Sequence, residues 1–321
     1  MKTETLNQKE IISLIALLDD EDYEILNHVE QKLMQLGKDV IPFLENEWQQ
    51  IQNSEHQQRV ENIIHNIQFN DLLREFKQWQ LSEDKDLLQG VYLVSKYRFP
   101  ELDKQKISNA IDELKMSVWL EMKFELTPFE KIRIVNYVLF IQNKFIGNIE
   151  KYHDPSNSFV NQVLETRQGN PIMLSIIYIL VAQRLNIPVF GINLPQHFML
   201  AYLEEDTIDI SSFNYGEKPT LQTLKPQGKP ILFYINAFNK GGIFTRESLE
   251  QFLKQIRIEH RIEFFEPCNN VEIIKRVLRN LVAAYEKQNK PNKQREVQEI
   301  LFALGEPDIN HFEDVTNFGD E

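Results

Sequence analysis

Gly169-Asn170-Pro171 stands directly before the most apolar run of the chain, Ile172 to Ala182. Asn170 can cap a helix there and Pro171 can occupy its first turn. A side chain at such a start lies in the positive field of the helix, where a nucleophilic anion is stabilised. His197 follows at the start of a strand-like segment, and Asn236 closes a later one. A histidine can take the proton of a nucleophile, and an asparagine can hold the imidazole in orientation. The order helix start, histidine, asparagine is therefore that of a thiol-type acyl-transfer site, but Asn170 and Pro171 offer neither thiol nor hydroxyl. Ser175 lies about one turn into the helix, below its favoured end, and reads as a core serine. Cys268 stands before Asn269-Asn270 and a helix start, a position that would lower its pKa, yet it comes after the histidine, the wrong order for such a site. The same residues have a plainer account. Gly169-Asn170-Pro171 is also simply a well-made helix start, His197 a hydrogen-bonded strand-end histidine, and Asn236 a turn residue before Asn239-Lys240-Gly241-Gly242.

These residues need elements to hold them. The first 70 or so residues read as helical hairpins. Ile11, Ile12, Leu14, Ile15, Leu17 and Leu18 make one face; Ile25, Leu26, Val29, Leu33 and Leu36 make a second, with Gly37 as its stop. A third helix starts at Val40-Ile41-Pro42, and a fourth carries Val60, Ile63, Ile64 and Ile67. Short helices with tight turns resemble a HEAT-type repeat. Further helices follow over Leu87–Val94 and Ile107–Val118, and Thr127-Pro128-Phe129-Glu130 predicts a capping box. From about residue 187 the pattern turns to strands: Pro188–Asn193, Phe198–Tyr202, Thr207–Ile210 and Ile231–Ile235, with Glu204-Glu205-Asp206 as a turn and 214–230 as an irregular excursion. Helix returns with Ile273, Ile274, Val277, Leu278, Leu281 and Val282, answered after Asn289-Lys290-Pro291-Asn292 by Val297, Ile300, Leu301 and Leu304. Helices before strands argue for α+β, mostly α, rather than alternating βαβ units.

Composition narrows the function. With 321 residues the chain can bury a good core in more than one unit. A net charge of −13 and no basic stripe disfavour nucleic acid. The single cysteine, Cys268, cannot form an internal disulfide, which suits a reducing compartment, and a cytoplasmic location is expected. The N-terminus lacks the apolar core of a signal peptide. The Ile172–Ala182 run is shorter than the roughly 20 residues needed to span a bilayer, so no membrane association is expected. The 7 histidines are scattered, without metal-ligand spacing, and no phosphate or dinucleotide glycine motif is present, so neither a metal nor a cofactor is expected.

From Asn157 to Gly242 the chain resembles the SirB-type family with its transglutaminase-like core. The likeness is carried by Tyr152-His153-Asp154-Pro155-Ser156-Asn157-Ser158, by Val163-Leu164-Glu165-Thr166-Arg167-Gln168-Gly169-Asn170-Pro171-Ile172-Met173-Leu174-Ser175, by Val181–Val189, and by Leu194-Pro195-Gln196-His197-Phe198. It implies HEAT-like hairpins over 1–70, a helical linker plus transglutaminase-like (papain-like) core over 71–268, and a tetratricopeptide-like hairpin with an acidic tail over 269–321. Active enzymes of this fold place cysteine near Asn170 or Pro171, whereas the SirB-type family generally has proline there, as here. Asn236 stands where an aspartate is usual, and 206–230 is extra sequence. The expected function is a non-catalytic regulatory or interaction module for a protein or peptide partner. The alternatives are an acyl-transfer or peptide-hydrolysing enzyme with a non-cysteine nucleophile using His197 and Asn236, and a scaffold in which His197 only completes the core.

Overall fold

A computed structural model describes residues 8–20, 22–204, 230–255, 257 and 261–307. The expected strand Thr207–Ile210 and most of the 206–230 stretch lie outside the described residues. Met1–Glu75 and Phe76–Glu321 form two compact units.

In the first unit α1 (Gln8–Ala16), α2 (Tyr23–Leu36), α3 (Ile41–Trp48) and the start of α4 (Ser54–Leu81) pack around Ile15, Leu18, Leu33, Val40, Leu44 and Val60. Asp22 caps α2 through the Glu24 amide, and Gly37, at φ +70°, turns the chain at its end. The fourth helix ends at Leu81.

The second unit is mostly helical with a small antiparallel sheet. It contains α5 (Leu87–Arg98), α6 (Lys104–Glu121) and α7 (Pro128–Asn136), the last opened by the capping box of Thr127 and Glu130. Next, α7 widens into a π-helical stretch, Tyr137–Gln142, where the Asn143 amide reaches back to the Val138 carbonyl at 2.9 Å. Two residues each of β1 (Ile146–Gly147) and β2 (Gln168–Gly169) pair in parallel on either side of α8 (Val160–Thr166). The apolar run is α9 (Pro171–Gln183), buried from Ile172 to Ala182. It packs on the sheet formed by β3 (Val189–Leu194), β4 (His197–Leu203), β5 (Ile231–Asn236) and β6 (Gly242–Phe244), in that order.

Because β3 and β4 are covered on both faces, they are apolar except for Asn193 and His197, rather than alternating. Ile192, Leu194, Met199, Ala201 and Tyr234 share one face with Leu249 and Leu253 of α10 (Arg246–Gln255). α9 covers the other face. The hairpin of α11 (Asn270–Lys287) and α12 (Pro291–Ala303) packs within this second unit, against α5, α9 and β3. Among the described residues no helix is long and apolar enough to cross a membrane.

Candidate functional site

The start of α9 is built as the sequence predicts. Asn170 Oδ1 accepts from the Met173 amide at 2.9 Å, and Pro171 sits in the first turn. The Asn170 side chain is 6% exposed, and its Nδ2 donates to Ser158 Oγ at 2.9 Å. The residue is thus committed to structure on both ends of its amide. Ser175 is fully buried, and its hydroxyl donates to the Pro171 carbonyl one turn back, at 2.8 Å.

Ser158 brings in a loop that spacing alone does not point to. Residues 152–158 fold over the α9 start and are pinned by Asn157, itself 2% exposed. Its Nδ2 donates to the carbonyls of Lys151 (2.7 Å) and Tyr152 (3.2 Å), and its Oδ1 accepts from Asn148 Nδ2 at 2.9 Å. Asp154 Oδ1 accepts from the Ser156 amide at 2.9 Å. Beside this loop lies a cavity of about 120 Å³ lined by Tyr152, His153, Asp154, Ser158, Asn170 and, from α11, Asn280, Ala283 and Ala284. The two alanines let α11 approach closely, and Lys287 Nζ meets His153 Nε2 at 2.6 Å at the edge.

His197 follows a two-residue turn, Pro195-Gln196, and pairs with Leu194. Its ring meets Phe252 of α10 edge-on, with centroids 5.1 Å apart. Burial, and then the Arg276 charge, hold its pKa below the ordinary histidine value, so the ring is uncharged at neutral pH. Asn236 ends β5, next to β4. Its Oδ1 accepts from the Asn239 amide at 3.1 Å and so caps the turn that follows. Among the described residues no hydrogen bond joins His197 to Asn236 or either of them to Asn170. What the structure does gather at the α9 start is the 152–158 loop. Phe238, just past Asn236, also reaches it, with its ring 6.2 Å from that of Tyr152.

Cys268 departs from expectation. Its position before a helix start suggests a lowered pKa, but Asn269 takes the capping role and burial dominates. Its Sγ donates to the Gly191 carbonyl at 3.2 Å, and the thiol is pushed up to about 12. The protonated thiol is the form the fold prefers. Its stabilisation is present below the ordinary thiol pKa and is lost as pH rises from there through about 12. A disulfide-exchange reagent at pH 8 is expected to label Cys268 about a hundredfold more slowly in the folded than in the unfolded chain. Equal rates would show an ordinary exposed thiolate.

Comparison with known proteins adds the family. The model of the transglutaminase-like superfamily matches residues 105–279, which spans α6, the 152–158 loop, α9, the sheet and half of α11. The chain belongs to the transglutaminase-like superfamily. Relatives carry the same stretch. A UPF0162 protein of Xylella fastidiosa is 31% identical over 213 residues, 65% of this chain and 68% of its own length. F-box only protein 21 of Mus musculus is 31% identical over 165 residues, 50% of this chain but only 23% of its own. A UPF0162 protein of Vibrio cholerae is 28% identical over 171 residues, 52% of this chain and 53% of its own. No solved structure matches the chain. Among the described residues there is no group of three or more metal-ligating side chains.

Proposed function

We propose that this chain is a non-catalytic transglutaminase-like protein that binds a protein or peptide partner through the cleft over the α9 start. The observation that carries this reading is the state of Asn170. At the point where the fold would present a nucleophile, its amide is spent on the Met173 amide and Ser158 Oγ, and Pro171 adds no reactive atom. Neither substitute is placed to attack a substrate, since Ser175 is buried and bonded to Pro171, and Cys268 is held protonated. The polar cavity beside Asn170 is of a size to take one small side chain. The family stretch also recurs inside the much longer F-box only protein 21, as a transferable module would. The residues and motifs match the SirB-type pattern, and a single half-buried cysteine suits a cytoplasmic protein.

The test has two arms. Full-length protein is incubated with a glutamine-containing peptide and a primary amine, and ammonia release is followed. Turnover is expected to equal the buffer blank in both the wild type and His197→Ala. Turnover that depends on His197 would overturn the reading in favour of an enzyme with a non-cysteine nucleophile. In the second arm, peptides are selected on the full chain from a displayed library. Their retention is expected to fall at least about tenfold in Asn280→Trp, which fills the cavity. Retention unchanged in that variant would leave the cleft without a binding role.

A further inference from the structure

Arg276 stands out among the charged groups of α11. Its neighbours on the helix are paired: Lys275 with Glu272 at 3.4 Å, and Arg279 with Glu272 at 4.0 Å and Glu306 at 2.5 Å. Arg276 is half-buried, yet it has no hydrogen bond or ion pair among the described residues. Burial lowers its pKa first, and the Arg279 charge lowers it further; only Tyr152 acts the other way. A desolvated cation with no counter-ion is costly and is relieved by an incoming anion.

It stands on the face of α11 that carries Asn280, next to the cavity rather than in its lining. It acts electrostatically on Tyr152, which lines the cavity, and on His197 at the strand end. Asn280, one turn further along α11, lines the cavity and has no hydrogen-bond partner among the described residues.

Resting on the peptide-binding reading above, we infer that Arg276 and Asn280 receive the carboxylate of an acidic peptide residue. A guanidinium offers a planar fork that matches a carboxylate with two hydrogen bonds. Phosphate suits the cleft less well. Asp154 in the cavity wall repels a dianion more strongly than the single charge of a carboxylate. The complement of an unpaired cation one turn from an unpaired side-chain amide is a carboxylate, as in an aspartyl or glutamyl peptide.

The probes are N-acetyl-aspartate N-methylamide, its asparagine counterpart and inorganic phosphate, each titrated to about 20 mM into the full-length protein and followed by NMR. The aspartyl probe is expected to shift the Arg276 Nε–H and Asn280 Nδ2 signals, and the asparaginyl probe is not. In Arg276→Gln the aspartyl probe is expected to bind at least about tenfold more weakly, with Arg276→Lys in between because it keeps the charge but loses the fork. If Arg276→Gln fails to fold, the wild-type contrast between the two probes and the Arg276→Lys affinity decide the matter. The inference is overturned if both peptide probes bind alike, if neither shifts these signals, or if phosphate alone does. The same spectra separate this from the broader reading. Hydrolysis of a probe would defeat the non-catalytic proposal while leaving carboxylate preference intact, and selected peptides that bind without an acidic residue would defeat only the role of Arg276.

Discussion

Gly241→Ala is expected to lower the thermal unfolding midpoint of the second unit by about 6–12 °C, corresponding to roughly 3 kcal/mol. Gly241 has φ +73°, a conformation that costs an alanine about 1 kcal/mol. The added Cβ would also come to 2.0 Å from Asn136 Oδ1. Asn136 cannot step aside freely, because its Nδ2 donates to the Gly241 carbonyl at 2.8 Å and its Oδ1 accepts from the hydroxyl of fully buried Tyr178 at 2.9 Å. Moving it leaves a buried phenol without a partner, a loss of about 1–3 kcal/mol. Gly242→Ala is the control. Its Cβ would meet nothing closer than 3.4 Å, and its backbone is unstrained, so a change within about 1 kcal/mol is expected. Thermal unfolding by circular dichroism compares the two, and equal midpoints would refute the clash.

Asn157→Ala is expected to cost about 2–4 kcal/mol and to loosen the loop over the α9 start. The substitution leaves the Lys151 and Tyr152 carbonyls without the donor that ties them together, and leaves Asn148 without its acceptor. Asn157 is almost fully buried, so water does not readily replace those bonds. Amide exchange of residues 151–157 should rise while that of α9 stays slow, because Asn170 still caps the helix. Asn157→Asp should resemble the alanine variant, since it keeps an acceptor but loses both donor contacts. Unchanged exchange in the loop would mean that something other than Asn157 holds it.

Local chemistry made much of this molecule legible before any coordinates. The Thr127 capping box, the Asn170 cap with Pro171 behind it, and the helices over Leu87–Val94 and Ile107–Val118 depend on neighbours within a few residues, and all are present, the two helices with longer ends. The strands from Val189, His197 and Ile231 were readable from their apolar β-branched and aromatic content. β6 and α10 escaped notice. β6 is three residues beginning with glycine, and α10 is a short charged helix whose apolar positions matter only because Leu249 and Leu253 close one face of the sheet. The run of α4 on to Leu81 is carried by Leu72, Phe76 and Trp79, which recur at helical spacing and are buried.

The site divides the same way. That no thiol or hydroxyl stands at Asn170 or Pro171 is a covalent fact, and the amino-acid sequence alone determined it. The sequence also determined that a helix begins there, that a histidine opens a later strand and that an asparagine closes another. Tertiary structure decided what those residues touch. His197 meets Phe252 because the register of β3 on β4 sets its ring on the α10 side, and Asn236 spends its oxygen on a turn. Tyr152, Asp154 and Ser158 meet Asn280 only because α11, far along the chain, packs on the loop through Ala283 and Ala284. Arg276 reads in sequence as one more cation on a solvated helix face. Its isolation follows from packing, since pairing and burial depend on which elements meet in space, and no local period encodes that.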